Sequence, residues 1–324
     1  MSRILVKPLS YSTLIIFLFL IPLFVTSPYL IHIFILAGIG IILASSLRLI
    51  FNSGQFSLAH GGMMTIGAYT SALLVMKMGL STWVAMGAGA AAAAFLALLV
   101  GYPLVRLKGI YFALGTVFLE EIIRLIAQQW TDLTGGVLGL TSIPKPDPIV
   151  IPGLLNMNFA SKVDFYYLAL VLVLFTLLIL YAIERSSINQ TFLSIKQSDS
   201  LAESIGVNTT KFKVLAFTIG CFFAGLAGAF YSQFMTVVTP SSFGFVYSVY
   251  IIVYMIVGGE KKFYGPIIGA VILTFLPESV RMLKEYQPYV FAGVLMLVIF
   301  FLPEGIVSLP QRLKMFIRER RENA

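Results

Sequence analysis

From Tyr166 to Tyr181 the chain carries no charged side chain, and comparable apolar runs recur along most of its length. Such a run has no polar face, so it fits neither an amphipathic surface helix nor a barrel strand with its period of two. It fits a helix in hydrocarbon, where the segment must satisfy its own backbone N–H and C=O groups. Composition agrees. Of the 324 residues, 59% are hydrophobic and 11% charged, against about 45–50% and about 25% in soluble domains. The chain therefore reads as all-α: a polytopic transmembrane helical bundle, one domain over 1–324. A span needs about 20 apolar residues. That divides the chain into about ten spans, at 10–26, 29–50, 61–79, 82–105, 110–130, 163–183, 211–236, 244–258, 264–280 and 287–303. The first follows Arg3 and Lys7 like a signal peptide. It ends at Ser27-Pro28 without a small-residue cleavage site, so it reads as an uncleaved span.

The net charge is +8. With the N-terminus in the cytoplasm and an even number of crossings, sixteen of the 22 lysines and arginines face inside, five face outside, and Arg124 lies within a span. That is the positive-inside bias. It places both termini in the cytoplasm and accounts for the charge without a nucleic-acid partner. The single cysteine, Cys221, sits in an apolar run and reads as a small buried hydrophobe. His32 and His60 stand apart, without metal-ligand spacing. No G-x-x-x-x-G-K-[ST], G-x-S-x-G or H-E-x-x-H occurs, so the chain is read as no enzyme and as binding no metal or cofactor itself.

The segment 184–213 is polar for about thirty residues between apolar runs, which suits a docking surface in a cytoplasmic loop. Ser187-x-x-Gln190 and Ser200-x-x-Glu203 fit the capping box. Ile188, Phe192 and Ile195 then recur at helical spacing. After the second box come Leu201, Ala202 and Ile205, with Gly206 as a stop. Two short helices are predicted. The external segment 131–162 carries Pro144, Pro146, Pro148 and Pro152, which exclude a helix and favour an extended, fairly stiff loop.

Two glycine-rich segments interrupt the membrane pattern, one in each half. The first includes Gln55, Ser57, His60, Gly61 and Gly62; the second runs through Gly259 and Gly265. Unwound backbone at membrane depth belongs inside protein or against water. Paired breaks point to an internal repeat and a translocation pathway. Glu120, Glu121 and Arg124 place charges inside a span, where they must face the bundle interior or one another. Arg124 is i,i+4 from Glu120 and i,i+3 from Glu121, so the acids compete for it. A pair that locks helix packing and a pathway element both remain open. On these residues alone, a self-sufficient secondary transporter or channel also remains open, although no chain of intramembrane acids suits ion coupling.

Four stretches, starting at Asn52, Gly109, Glu184 and Gly258, jointly resemble the branched-chain amino-acid ABC-transporter permeases of the LivM type. Among their motifs are I-Y-F-A…E-I-I-R-L, W-T-x-L-T-G-G-x-x-G-L and A-E-x-x-G-V-N. The likeness extends in order over about residues 30–310. It implies a permease subunit of an importer in the bacterial inner membrane, carrying leucine, isoleucine and valine, or in some relatives urea or short amides. Its implied partners are a second related permease, two cytoplasmic ATPases that bind ATP and Mg, and an external solute-binding protein. It also implies that 184–213 is the ATPase-coupling loop, with Ala202, Glu203 and Gly206 on the family's A-E-x-x-G. Asn189, Gln190, Gln197 and Ser198 depart from the more charged family pattern, which shifts the expected docking towards apolar contacts through Phe192 and Ile195.

Overall fold

The computed structural model describes residues 18–25, 27–151, 155–279 and 304–309, with isolated positions between 286 and 302. The main helices are α1 (Pro28–Asn52), α2 (His60–Met78), α3 (Thr82–Leu104), α4 (Ile110–Gln129), α5 (Lys162–Arg185), α6 (Ser187–Gln197), α7 (Asp199–Ser204), α8 (Thr209–Met235), α9 (Phe245–Gly258) and α10 (Gly265–Ser279). All but α6 and α7 coincide, to within two residues at each end, with expected spans. α1, α3, α5, α8 and the stretch Pro240–Gly258 are long and apolar enough to cross a membrane, and Gly265–Glu278 is a shorter apolar helix. The chain is a multi-pass membrane protein. The spans expected at 10–26 and 287–303 fall largely outside the described residues.

Lipid tails are as apolar as leucine, so helices in a membrane associate by close packing rather than by hydrophobic burial. The small-residue runs provide it. A Cβ on Gly67 would collide with the carbonyl of Gly225, and one on Gly228 with that of Met64. Ala90 and Ala93 are fully buried in the same contact, against Gly225. α1 runs through the centre of the bundle, touching α5 at Gly38, α9 and α10 at Gly40, and α8 where Gly220 meets Ile50. Cys221 is buried and free, as expected of a small apolar residue.

The segment 131–162 is less uniform than its prolines suggest. Its described part starts with a helical turn, Thr131–Thr134, and a 3-10 turn, Gly136–Leu138. It ends in a two-stranded antiparallel hairpin, β1 (Ile149–Ile151) with β2 (Leu155–Met157). The stretch between has no regular structure. There the segment is tied to the bundle: Leu140 and Val238 exchange backbone hydrogen bonds of 2.9 Å, and the Ile143 N–H donates to the Thr236 carbonyl at 3.0 Å. Glycine supplies the bends, with φ of 76° at Gly135, 62° at Gly136 and 74° at Gly139. These are left-handed values that other residues rarely adopt.

Asp147 fixes this segment to α3. Its carboxylate accepts the Thr82 N–H at 2.7 Å, and its own N–H donates to Thr82 Oγ1 at 3.3 Å. A helix start thus receives its anionic cap from a distant segment. The bond to Thr82 holds the Asp147 carboxyl below its ordinary range. A depressed carboxyl stabilises the fold above the unfolded pKa and loses that contribution as pH falls through the folded one. Asp147→Ala should therefore cost about 1 kcal/mol near neutral pH, as a lost helix cap does. Thermal unfolding in detergent should show a lower midpoint for the variant, with the gap closing as pH falls below about 4.

Candidate functional site

Two interrupted helices start beside one buried acid. After α1 ends, the chain passes through Ser53–Ala59 without regular structure and begins α2 at His60. Gln55, Ser57, His60, Gly61 and Gly62 are all buried. The irregular backbone is held by side chains. The Leu58 N–H donates to Thr116 Oγ1 at 3.0 Å, the Ala59 N–H donates to Ser57 Oγ at 3.3 Å, and His60 Nε2 lies 3.1 Å from Ser46 Oγ. A second interruption precedes α9, through Val237–Gly244. Ser248, in the first turn of α9, joins the two: its hydroxyl accepts the Gly61 N–H at 2.9 Å and donates to Glu120 Oε2 at 2.7 Å. A Cβ on Gly61 would lie 2.6 Å from Glu120 Oε1 and 2.7 Å from the Phe243 carbonyl. Only glycine fits. Glu120 Oε1, His60 Nδ1 and Gln55 Nε2 are buried without a hydrogen-bond partner among the described residues.

The first break is thus matched by Val237–Gly244 and Ser248, not by Gly259 and Gly265. Those glycines lie at the far end of α9, in the turn to α10. There a Cβ on Gly265 would collide with the Gly259 carbonyl, and Gly259 has φ 113°. The turn is a tight backbone-to-backbone hairpin.

The competition for Arg124 is won by Glu121. Arg124 Nε donates to Glu121 at 2.8 Å, and the two form an ion pair. Residues adjacent on a helix point about 100° apart. Glu120 consequently faces the interior and Ser248, while Glu121 and Arg124 share a half-exposed face. An i,i+4 bond between Glu120 and Arg124 does not form.

The 184–213 segment forms the two predicted helices, α6 and α7, with different starts. Ser186, not Ser187, precedes α6, and its hydroxyl donates back to the Ile183 carbonyl at 2.6 Å instead of capping forward. Ser198, not Ser200, caps α7 by accepting the Leu201 N–H at 3.4 Å. The Glu203 carboxylate accepts from Thr209 Oγ1 at 2.6 Å. Neither capping box forms, because each helix starts upstream of its predicted serine. The apolar face is as expected: Phe192, Ile195 and Ala202 are buried, while Ser187, Ser200, Glu203 and Gly206 are exposed. α7 stops in a Schellman motif, with the Gly206 N–H on the Glu203 carbonyl and the Val207 N–H on that of Ala202. Gly206 has φ 87° with open space at its Cβ position, so it is required for its backbone angle and not for room. Leu201 and Ile205 are left 68% and 76% exposed.

Arg48 went unnoticed among the inside-facing basic residues. It gathers three elements at the loop end of the bundle. Its guanidinium donates to both Glu184 oxygens, at 2.7 and 3.0 Å, and through Nε to the Glu260 carbonyl at 2.7 Å. Lys196 lies 3.8 Å from the Glu260 carboxylate and 3.7 Å over the Phe51 ring. Burial pulls the Lys196 amine below its ordinary pKa, against the opposing pull of Glu260. Among the described residues, no three His, Cys, Asp or Glu side chains converge to hold a metal.

Comparison with known proteins adds identity to this geometry. Residues 29–302 match the family described as branched-chain amino acid transport system / permease component. The high-affinity branched-chain amino acid transport system permease protein LivM of Escherichia coli K12 is 30% identical over 297 residues, 86% of this chain and 68% of its own. LivM of Salmonella typhimurium is 29% identical over 294 residues, again 86% and 68%. The LivH permease protein of Escherichia coli K12 is 25% identical over 278 residues, 80% of this chain and 87% of its own. No solved structure matches the chain.

Crowding the buried acid and unpairing the half-exposed one should differ in cost. Gly61→Ala drives a methyl into Glu120 and the Phe243 carbonyl and should cost about 1–3 kcal/mol, as overpacking does. Arg124→Gln removes a half-exposed ion pair worth about 0–1 kcal/mol. Thermal unfolding in detergent should show a clear drop for the first and little change for the second.

Proposed function

The chain belongs to the branched-chain amino acid transport system permease family, and on that premise we propose that it forms part of the transmembrane pathway of an ATP-driven importer for leucine, isoleucine and valine. A second, related permease completes the pathway. Two cytoplasmic ATPases supply the energy and hold the ATP and Mg, and an external binding protein delivers the substrate. The chain crosses the bacterial inner membrane about ten times, with both termini and the 184–213 loop in the cytoplasm. Positive charge on the loop side supports that orientation.

The observation that carries the coupling role is the division of the 184–213 helices. Phe192, Ile195 and Ala202 are buried against the bundle, whereas Leu201 and Ile205 project uncovered beside the Gly206 stop. Leu201 on α7 and Ile205 at its C-cap, two large aliphatic side chains in a polar segment, form a compact apolar knob suited to a groove on a partner. The pathway is assigned to the double break: Gln55, Ser57, His60, Gly61 and Gly62, with Glu120 facing Ser248. Glu121 and Arg124 border that cluster, and Gly259 and Gly265 lie at the far end of α9, in the turn to α10.

Uptake of labelled leucine, isoleucine, valine and urea by cells making the complete transporter tests the substrate; uptake of urea alone would reverse the assignment. Leu201→Asp together with Ile205→Asp should leave the second permease bound, strip the ATPases from the purified complex, and lower uptake at least about tenfold, as loss of an interface hot spot does. Normal ATPase retention in that variant would remove the knob from the coupling role.

A further inference from the structure

We propose that Arg48 couples the 184–213 loop to the α9–α10 turn, so that displacement of the loop helices is transmitted to the helix that carries Ser248. The inference rests on the importer reading above and assigns it a positioning residue.

Three bonds of the guanidinium define the link. Arg48 stands near the end of the central helix α1, with its side chain 8% exposed. Its two terminal nitrogens grip Glu184, the penultimate residue of α5, from which α6 departs after a single intervening residue. Its Nε grips the backbone of Glu260 in the α9–α10 turn. A planar fork satisfies both groups at once, which an ammonium cannot do. α6 holds the same two acids from its own side. Asn189 Nδ2 donates to the Glu184 carbonyl at 3.2 Å, and Lys196 Nζ reaches the Glu260 carboxylate at 3.8 Å. The far end of α6 is seated against the turn after α1, where a Cβ on Gly54 would lie 3.2 Å from Lys196 Cα. Ser45, Arg48, Glu184 and Asn189 also line a cavity of about 10 Å³. It has the size of one water, and Ser45 Oγ and Asn189 Oδ1 are buried without a hydrogen-bond partner among the described residues.

The turn gripped in this way is stiff. Cβ atoms on Gly258 and Gly269 would collide with the carbonyls of Gly265 and Tyr254, so α9 and α10 interlock backbone to backbone. A hairpin packed that closely shifts as a body. α9 ends at this turn and begins at the double break, so a push on α6 reaches Ser248, Glu120 and Gly61 through Arg48 and one rigid helix.

The test uses the complete transporter, purified from its native membrane and reconstituted, with ATP hydrolysis and labelled leucine uptake read in the same vesicles. Arg48→Lys keeps the charge but loses the fork; Arg48→Gln loses both. Both variants should co-elute with their partners and hydrolyse ATP, yet move about tenfold less leucine per ATP, within the usual range of coupling between sites. Unchanged leucine per ATP would overturn the proposal. So would parallel loss of assembly, hydrolysis and uptake, which marks a residue that only holds the fold. A second reading does not depend on the substrate. Spin labels at Gln190→Cys and Lys261→Cys should keep a constant separation on ATP binding in the otherwise native chain, and should separate when Arg48→Gln is added. A distance that changes in both would reject the link. If native vesicles hydrolyse ATP but move no leucine, the substrate assignment fails, and the label distances still decide the role of Arg48.

Discussion

Hydrocarbon cannot hydrogen-bond a peptide group, so every interruption of a helix within this bundle must find its partners in protein. The structure shows how that demand is met. The segment between α1 and α2 borrows Thr116, Ser57 and Ser46, and the start of α9 is tied to the start of α2 through one serine hydroxyl. Close approach of the other helices follows from the same shortage of solvent. α2, α3 and α8 meet through glycine and alanine, because dispersion contacts at backbone distance are what remains when water is absent. The segment around Asp147 and the loop around Arg48 then tie the two ends of the bundle with polar bonds of their own.

The helices were legible because the signal is local. Apolar runs and their breaks placed α1–α5 and α8–α10 to within two residues. The paired loop helices were legible from the spacing of Ile188, Phe192 and Ile195, from Leu201, Ala202 and Ile205, and from the stop at Gly206. Their starts were not: several hydroxyls crowd each N-terminus, and which one caps depends on competing carbonyls, such as that of Ile183 for Ser186. The pairing of the breaks was also out of reach. Glycine content drew attention to Gly259 and Gly265, whereas the true neighbour of Gly61 is Ser248, separated from it by most of the chain and flanked by ordinary residues. Glu120 and Glu121 were both visible as unusual acids, but helix phase alone did not say which one Arg124 would take. Arg48 gave no local signal, since its meaning lies in the Glu184 carboxylate of α5 and the Glu260 carbonyl of the α9–α10 turn.

A permease of this kind has two requirements that conflict. It must hold irregular backbone tightly enough to insert, and it must let that backbone move when a partner pushes. The distribution of contacts suggests a division of labour. α2, α3 and α8 pack at backbone distance and form the static side. α9 and α10 interlock through glycines of their own and are held to α1, α5 and α6 by Arg48 and Lys196, a set of polar bonds that can shift against the static side as one body.

The hydroxyl of Ser248 has one proton and gives it to Glu120 while accepting from Gly61. Three helices are therefore joined by a single three-body contact rather than by pairs. Residues that share a hydrogen-bond network do not vary independently. Positions 61, 120 and 248 form one unit of inheritance: a change tolerated at any of them depends on what occupies the other two, and drift through this site must proceed by compensated steps.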